Sequence, residues 1–251
     1  MRLALIAAAA LTLAAATSAS ATTWDAVADF TAATNGTGGS VWSYGWNDHS
    51  APGFQKFTQN GECITGGLAC WQSNDPQFFV PLIAKNTTLA TLNYLTVVQP
   101  IDVLNLHPGG TNDGSVAGGA DIDTILRFTA PTAGNFNFNG FFEALDTSPT
   151  GVTIFAGGHL VSISGFAAHP ETTGAPTAFN FNTLLAQGGV VDFVVNRVGS
   201  PGGASYGNDS TGLALSVSVP EPATWGLMIM GFGGIGAMLR SNRRRAVVAT
   251  A

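Results

Sequence analysis

Four aromatic residues in the first third of the chain have the types and spacing to hold a sugar. In Val41-Trp42-Ser43-Tyr44-Gly45-Trp46 the side chains of an extended backbone alternate, which places Trp42, Tyr44 and Trp46 on one face. Trp71 follows later. Flat rings suit the apolar face of a pyranose, so these four are candidate glycan-contacting residues. Large rings also dominate hydrophobic cores, and alternation alone leaves both readings open. Alanine substitution separates them: a core ring costs roughly 3–5 kcal/mol of stability, whereas a platform ring costs binding alone.

The carboxylates offer a second chemistry. Asp121 and Asp123 flank Ile122, so an extended backbone points both the same way, with Asp113 in the loop before them. Calcium takes oxygen-rich loops of this kind. The spacing matches no EF-hand, and an acidic sheet edge is the alternative. Among His49, His107, His159 and His169, the most site-like is His107, which precedes Pro108-Gly109. Its structural alternative is a ring nitrogen bonded to nearby backbone. His159 follows two glycines and is expected to be exposed. The chain contains no G-x-S-x-G elbow, H-E-x-x-H helix, Walker loop or dinucleotide fingerprint. Glu62, Glu143 and Glu171 could supply the paired carboxylates of a glycosidase, but three glutamates are ordinary on a folded surface. No catalytic residue, metal or cofactor is assigned, and the chain reads as a non-enzyme.

Cys63 and Cys70 enclose a Gly66-Gly67 turn. A disulfide is the first reading and a metal pair the second; zinc asks for three or four ligands, and only His49 is near in sequence.

The ends of the chain read as address labels. Arg2, the apolar run from Leu3 to Ala16 and the box Ala19-Ser20-Ala21 have the grammar of a secretory signal peptide over residues 1–21. At the other end Trp225 to Leu239 is fifteen residues without a charge, and Arg240, Arg243, Arg244 and Arg245 follow at once. A spanning helix needs about 20 apolar residues, so the run is short, and its five glycines weaken it further. The arginines resist translocation. Together they predict one C-terminal transmembrane helix, with a peripheral or buried helix as the alternative. A membrane-anchored intermediate follows, with the body outside the inner membrane. Pro220 and Pro222 set a sharp boundary ahead of the run.

The order Pro220-Glu221-Pro222, Trp225, a glycine-rich apolar span and an arginine cluster resembles the PEP-CTERM sorting signal, specifically the PEPxxW subtype of exopolysaccharide-producing Gram-negative bacteria. The spacer Ser241-Asn242 interrupts the usual basic run. The resemblance covers residues 220–246. It implies that the chain is the substrate of an exosortase-like membrane processing enzyme, with Pro220, Glu221, Pro222, Trp225, Arg240, Arg243, Arg244 and Arg245 as the signal. It also implies delivery to the cell surface or extracellular matrix.

Between the labels, residues 22–219 have the length of one domain. They hold fourteen carboxylates against four basic residues, Lys56, Lys85, Arg127 and Arg197, a formal charge of about −10; the whole-chain value is −6 because five of the nine basic residues lie in the two ends. So acidic a body excludes nucleic acid as a partner, since phosphate binding needs Lys and Arg.

The pattern of this body is all-β. Asp25 to Phe30 suggests a helical turn. Short strands are predicted at Val41–Trp46, Phe78–Ile83, Ile125–Phe128, Val152–Phe155, Leu160–Phe166, Val190–Val198 and Leu213–Val219, with mixed strand and turn at Leu89–Val98. From Gly134 onward Phe136, Phe138, Gly140 and Phe142 alternate with Asn135, Asn137 and Asn139, the signature of a half-buried antiparallel strand. Short strands between Gly, Pro and Asn turns predict an antiparallel two-sheet sandwich, jelly-roll-like, with an irregular N-terminal part. The elements Leu106-His107-Pro108-Gly109, Leu126 to Gly134, Val191 to Val195 and Asp209 to Leu213 resemble a sandwich module of secreted bacterial surface proteins. That resemblance implies a fold and hints at glycans. The expected role is therefore an exported surface or matrix protein, with a carbohydrate-binding module that retains exopolysaccharide as the alternative.

Overall fold

The computed structural model describes residues 22–48, 51–63, 65–73, 81–110, 121–147, 150–166, 176–196 and 209–219, together with 231–234, 236 and 240. Thr23–Ser218 forms one compact unit, and the two chain ends, Met1–Thr22 and Val219–Ala251, are grouped apart from it.

The unit is an antiparallel sandwich. The larger sheet runs β15(Thr177–Leu185), β12(Gly134–Ala144), β17(Thr211–Val219), β9(Leu104–His107), β6(Leu82–Asn86), β5(Leu68–Gln72), β4(Gln59–Glu62), and β1(Thr22–Asp25) also pairs with β17. The second sheet runs β14(His159–Phe166), β13(Gly151–Ala156), β16(Val190–Asn196), β11(Asp121–Thr129), β2(Trp42–Asp48), β3(Ala51–Lys56), with β10(Gly109–Gly110) paired to β11. A separate hairpin joins β7(Leu92–Tyr94) to β8(Val97–Gln99). From β11 onward the chain passes between the sheets at every connection except the β13–β14 hairpin, which stays within the second sheet.

The period-2 pattern decides what fills that core. On β12 the even positions Phe136, Phe138 and Phe142 are buried, while Asn135 and Asn139 are exposed. Phe128 and Phe193 of the second sheet meet them: Phe128 lies edge-on to Phe138 at 5.4 Å between centroids, and Phe193 is 6.0 Å from Phe138. Truncating one such ring should cost about 3–5 kcal/mol. Gly140 sits in this strand where a Cβ would strike the Ala214 carbonyl and the Phe179 ring, so only glycine allows β17 to lie this close.

Several elements differ from the sequence reading. Ile125–Phe128 is the middle of a nine-residue strand, β11. Within the predicted Phe78–Ile83, residues 78–80 lie outside the described residues, and the described strand is β6. Leu89–Val98 resolves into the small hairpin, with Leu95 at its turn. β15 was not anticipated.

The expected C-terminal transmembrane helix is corrected. Residues 231–234, 236 and 240 are helical, but among the described residues no helix is long and apolar enough to cross a membrane. The physical reason was visible in the run itself: fifteen uncharged residues fall short of the hydrocarbon thickness, and each interior glycine costs a helix about 1 kcal/mol relative to alanine. The membrane-anchored intermediate and the helix-mediated membrane contact fall with it. Arg240 is helical and exposed; Pro220, Glu221, Pro222, Trp225, Arg243, Arg244 and Arg245 lie outside the described residues, as do residues 1–21.

Candidate functional site

The predicted aromatic face exists, and it points inward. Trp42 is 1 % exposed, Tyr44 0 % and Trp71 6 %. Trp42 meets Phe128 edge-on at 5.3 Å, and Tyr44 lies parallel to Trp71 at 6.4 Å and packs on Phe30 at 5.0 Å. A ring enclosed in this way offers no face to a sugar, so these three rings are core and anchor. Trp46, further along the same face, is only half-buried, paired opposite Thr124 and Gln55.

The polar edges of the buried indoles fix the irregular segment ahead of β2. Trp42 Nε1–H donates to Asp29 Oδ2 at 3.1 Å, and Trp71 Nε1–H donates to the Thr31 carbonyl at 2.8 Å. Asp25 opens the predicted helical turn: its Oδ1 accepts from the amides of Val27 and Ala28, and its own amide donates to Asp29 Oδ2 at 3.0 Å. Buried Asn35 substitutes for a strand at the margin of β2. Its Nδ2 donates to the carbonyls of Tyr44 and Phe57, and its Oδ1 accepts from the Tyr44 amide at 2.8 Å. Lys56 Nζ donates to the carbonyls of Asn35 and Gly36. Gly36 sits at φ 61°, where a Cβ would also collide with Ser43.

This anchored segment encloses a cleft of about 340 Å³, lined by Trp24, Asp29, Thr31, Thr34, Thr37, Gly38, Gly39, Ser40, Val41 and Trp42. Trp24, on β1, is half-buried and forms an aromatic wall, supported by Phe128 at 5.7 Å and Phe136 at 6.1 Å. Trp42 borders it too, but is 1 % exposed. Three threonines and a serine bring hydroxyls, Asp29 brings the only charge, and no basic residue lines it. One partly open indole beside hydroxyls and a carboxylate is the chemistry that holds a polyol: apolar C–H faces on the ring, O–H groups on the oxygens. With a carboxylate and no cation, it disfavours an anionic ligand.

His107 belongs to a different cluster. Its Nδ1 lies 2.7 Å from the Pro108 carbonyl oxygen and its Nε2 lies 2.9 Å from Asp209 Oδ1. Both neighbours are acceptors, which calls for a proton on each ring nitrogen. Burial, the largest influence, pushes the pKa down. The charge of Asp209, its hydrogen bond, the Pro108 carbonyl and the charge of Asp146 together outweigh it, so the net direction is up. The pair lies almost wholly in the interior, 13 % and 4 % exposed, and serves structure.

Among the described residues the remaining candidates do not assemble a second site. Asp123 is buried, on the strand flanked by β2 and β16. Asp113, His49, His169 and Glu171 lie outside the described residues. Glu143 is half-buried, and burial first and the Asp102 charge second raise its pKa. His159 is exposed in the β13–β14 hairpin. Among the described residues no group of three or more His, Cys, Asp or Glu is placed to hold a metal ion. Cys63 and Cys70 form a disulfide next to the β4–β5 pair, with Cα atoms 6.0 Å apart, in a small core with Leu82 and Ala84.

Trp24 and the threonines were missed by sequence reasoning. The available signal was a tryptophan three residues past the predicted signal-peptide cleavage, followed by an Asp-capped turn and a Thr/Gly-rich stretch.

Comparison with known proteins adds one assignment. Residues 218–245 match the PEP-CTERM protein-sorting motif. No curated protein matches the chain. Among solved structures, the chain is similar to a family 35 carbohydrate binding module from Clostridium thermocellum at 15 % identity and TM-score 0.27, covering 46 % of this chain and 91 % of that one. It is similar to the CBM35 from Paenibacillus barcinonensis at 11 % identity and TM-score 0.27, covering 65 % and 100 %. It is also similar to the Arthrobacter globiformis T6 isomalto-dextranase complexed with panose at 12 % identity and TM-score 0.28, covering 80 % and 33 %. These likenesses are remote, and what the cleft can bind follows from its own residues.

Proposed function

We propose that the chain is an exported, non-catalytic carbohydrate-binding module, sorted through its C-terminal PEP-CTERM motif, that holds a neutral glycan of the surface or matrix in the Trp24 cleft. The observation that carries this reading is the cleft itself: a half-buried indole, four hydroxyl-bearing side chains and one carboxylate line it, with no basic residue among them. The sorting motif supports delivery to the cell surface and processing by an exosortase-type enzyme, and exopolysaccharide is the glycan such a location supplies. The acidic body argues for neutral rather than uronate- or sulfate-bearing chains.

The test is titration of the full chain with neutral and acidic polysaccharides. Neutral chains should bind and acidic chains should not. Trp24→Leu retains apolar bulk against Phe128 and Phe136 but removes the flat face, so it should abolish binding and leave the chain folded. Binding that survives Trp24→Leu unchanged would place the ligand elsewhere.

A further inference from the structure

β17 runs straight into the sorting motif: the strand ends at Val219, and Pro220 follows. Up to that point it is held on both sides. β12 pairs with it in unshifted register from Ala144↔Thr211 to Asn137↔Ser218, and β9 and β1 pair with its other side. Leu215 and Val217 are buried. A peptidase must seat the backbone around the scissile bond in its own cleft, so a strand bonded on both sides is cut only after it opens.

The register explains where the ladder ends. In an antiparallel sheet the backbone groups of successive residues turn alternately to the two neighbouring strands. The Leu215 carbonyl accepts from the Ala26 amide at 2.9 Å, on the β1 side. Residues 216 and 218 therefore turn to β12, and so would 220 in a continued strand. β12 has residues to offer it, since it extends past Asn137 to Gly134. At unchanged register position 220 falls opposite Asn135. The N–H of residue 220 would make the next bond to β12, and proline has none. Pro222 withholds the one after that. Both prolines of Pro220-Glu221-Pro222 thus take the positions that would donate to β12.

We infer that Pro220 and Pro222 stop the β17 ladder, and that removal of the sorting tail therefore cuts C-terminal to Val219 and leaves β17 whole; the second half rests on the reading of the tail as a processed sorting signal. The step is acyl transfer at a peptide carbonyl. The C–N bond breaks, the amine of the departing tail takes a proton, and the acyl carbon passes to water as a carboxylate or to an amine as a new amide. A cut inside β17 would take away the partner of β1, the strand that carries Trp24. The stop keeps processing clear of the glycan cleft.

Two measurements on the full chain test the two halves. Pro220→Val with Pro222→Val restores the missing donors. By hydrogen exchange the amide introduced at position 220 should exchange about tenfold more slowly than an unpaired amide, and a protease of broad specificity should cut there more slowly by a similar factor. If that variant does not fold, Pro220→Val alone should give the same protection at 220. In cells producing the unaltered chain, the intact mass of the processed body should place its C-terminus at Val219 or beyond. Exchange at 220 as fast as that of an unpaired amide overturns the ladder stop. A processed body ending within residues 211–218 overturns the limit on the cut. A tail left uncut in every fraction contradicts the sorting reading instead, and slowed exchange at 220 still supports the stop.

Discussion

Trp42→Ala should lower the unfolding free energy by about 3–5 kcal/mol in a urea titration, the cost of an emptied aromatic site. Trp71→Phe retains most of the burial but orphans the Thr31 carbonyl, so its cost should be nearer 1–2 kcal/mol. Neither change should be offset by added glycan beyond what the unaltered chain gains. The two indoles use their rings in the core and their N–H groups as bolts for the preceding segment. The sequence pattern was right about which side chains share a face and could not say which face was wet. Alternation is a local property, whereas burial is decided by β11 and the opposite sheet, far away in sequence. His107 makes a second residue-scale prediction. Its folded pKa is raised above the unfolded value, so the stabilisation is complete below the unfolded pKa of roughly 6.5 and is lost as pH rises through the folded pKa. Thermal unfolding followed from pH 5 to 9 should show that decline, and Asp209→Asn should flatten it.

At the scale of elements, the segment from Asp25 to Val41 is the piece the site depends on. Asn35→Ala removes three hydrogen bonds to the margin of β2 and β3 at once, leaving buried backbone groups unpaired. Limited proteolysis should then cut within 31–41 well before the rest of the domain opens, and the cleft should be lost with it. Gly36→Ala should act in the same direction through its φ of 61° and the contact with Ser43. The disulfide is separable from this: Cys63→Ser with Cys70→Ser reopens a loop of sequence separation 7, which the chain-entropy estimate puts at about 2.5 kcal/mol. Among strands, β12 was legible because it alternates cleanly, and β13, β14 and β16 because each is a run rich in β-branched and aromatic residues. β4 and β5 were not, since short strands rich in Gly, Cys and Gln owe their form to pairing with β6 and to the disulfide. β15 carried the period of β12, but its outward Asn and inward Thr dilute the apolar signal. The cleft was least legible of all, because its walls are an irregular segment held by bonds to residues as far away as Trp71.

For the whole molecule, the division of labour was plain from composition: basic residues are concentrated at the ends, carboxylates in the body. The sorting motif over 218–245 was readable because its order of Pro-Glu-Pro, apolar run and arginines is itself the signal. The spanning helix inferred from the same run was not sustained: among the described residues no helix is long and apolar enough to cross a membrane. What remains is a β-sandwich body presenting an indole-walled cleft. The most direct test of that account is calorimetric titration of a neutral polysaccharide into the full chain and into Trp24→Leu, at matched fold by circular dichroism. The account predicts saturable binding to the former and none to the latter. Equal binding by both, or saturable binding of acidic polysaccharide alone, would contradict it.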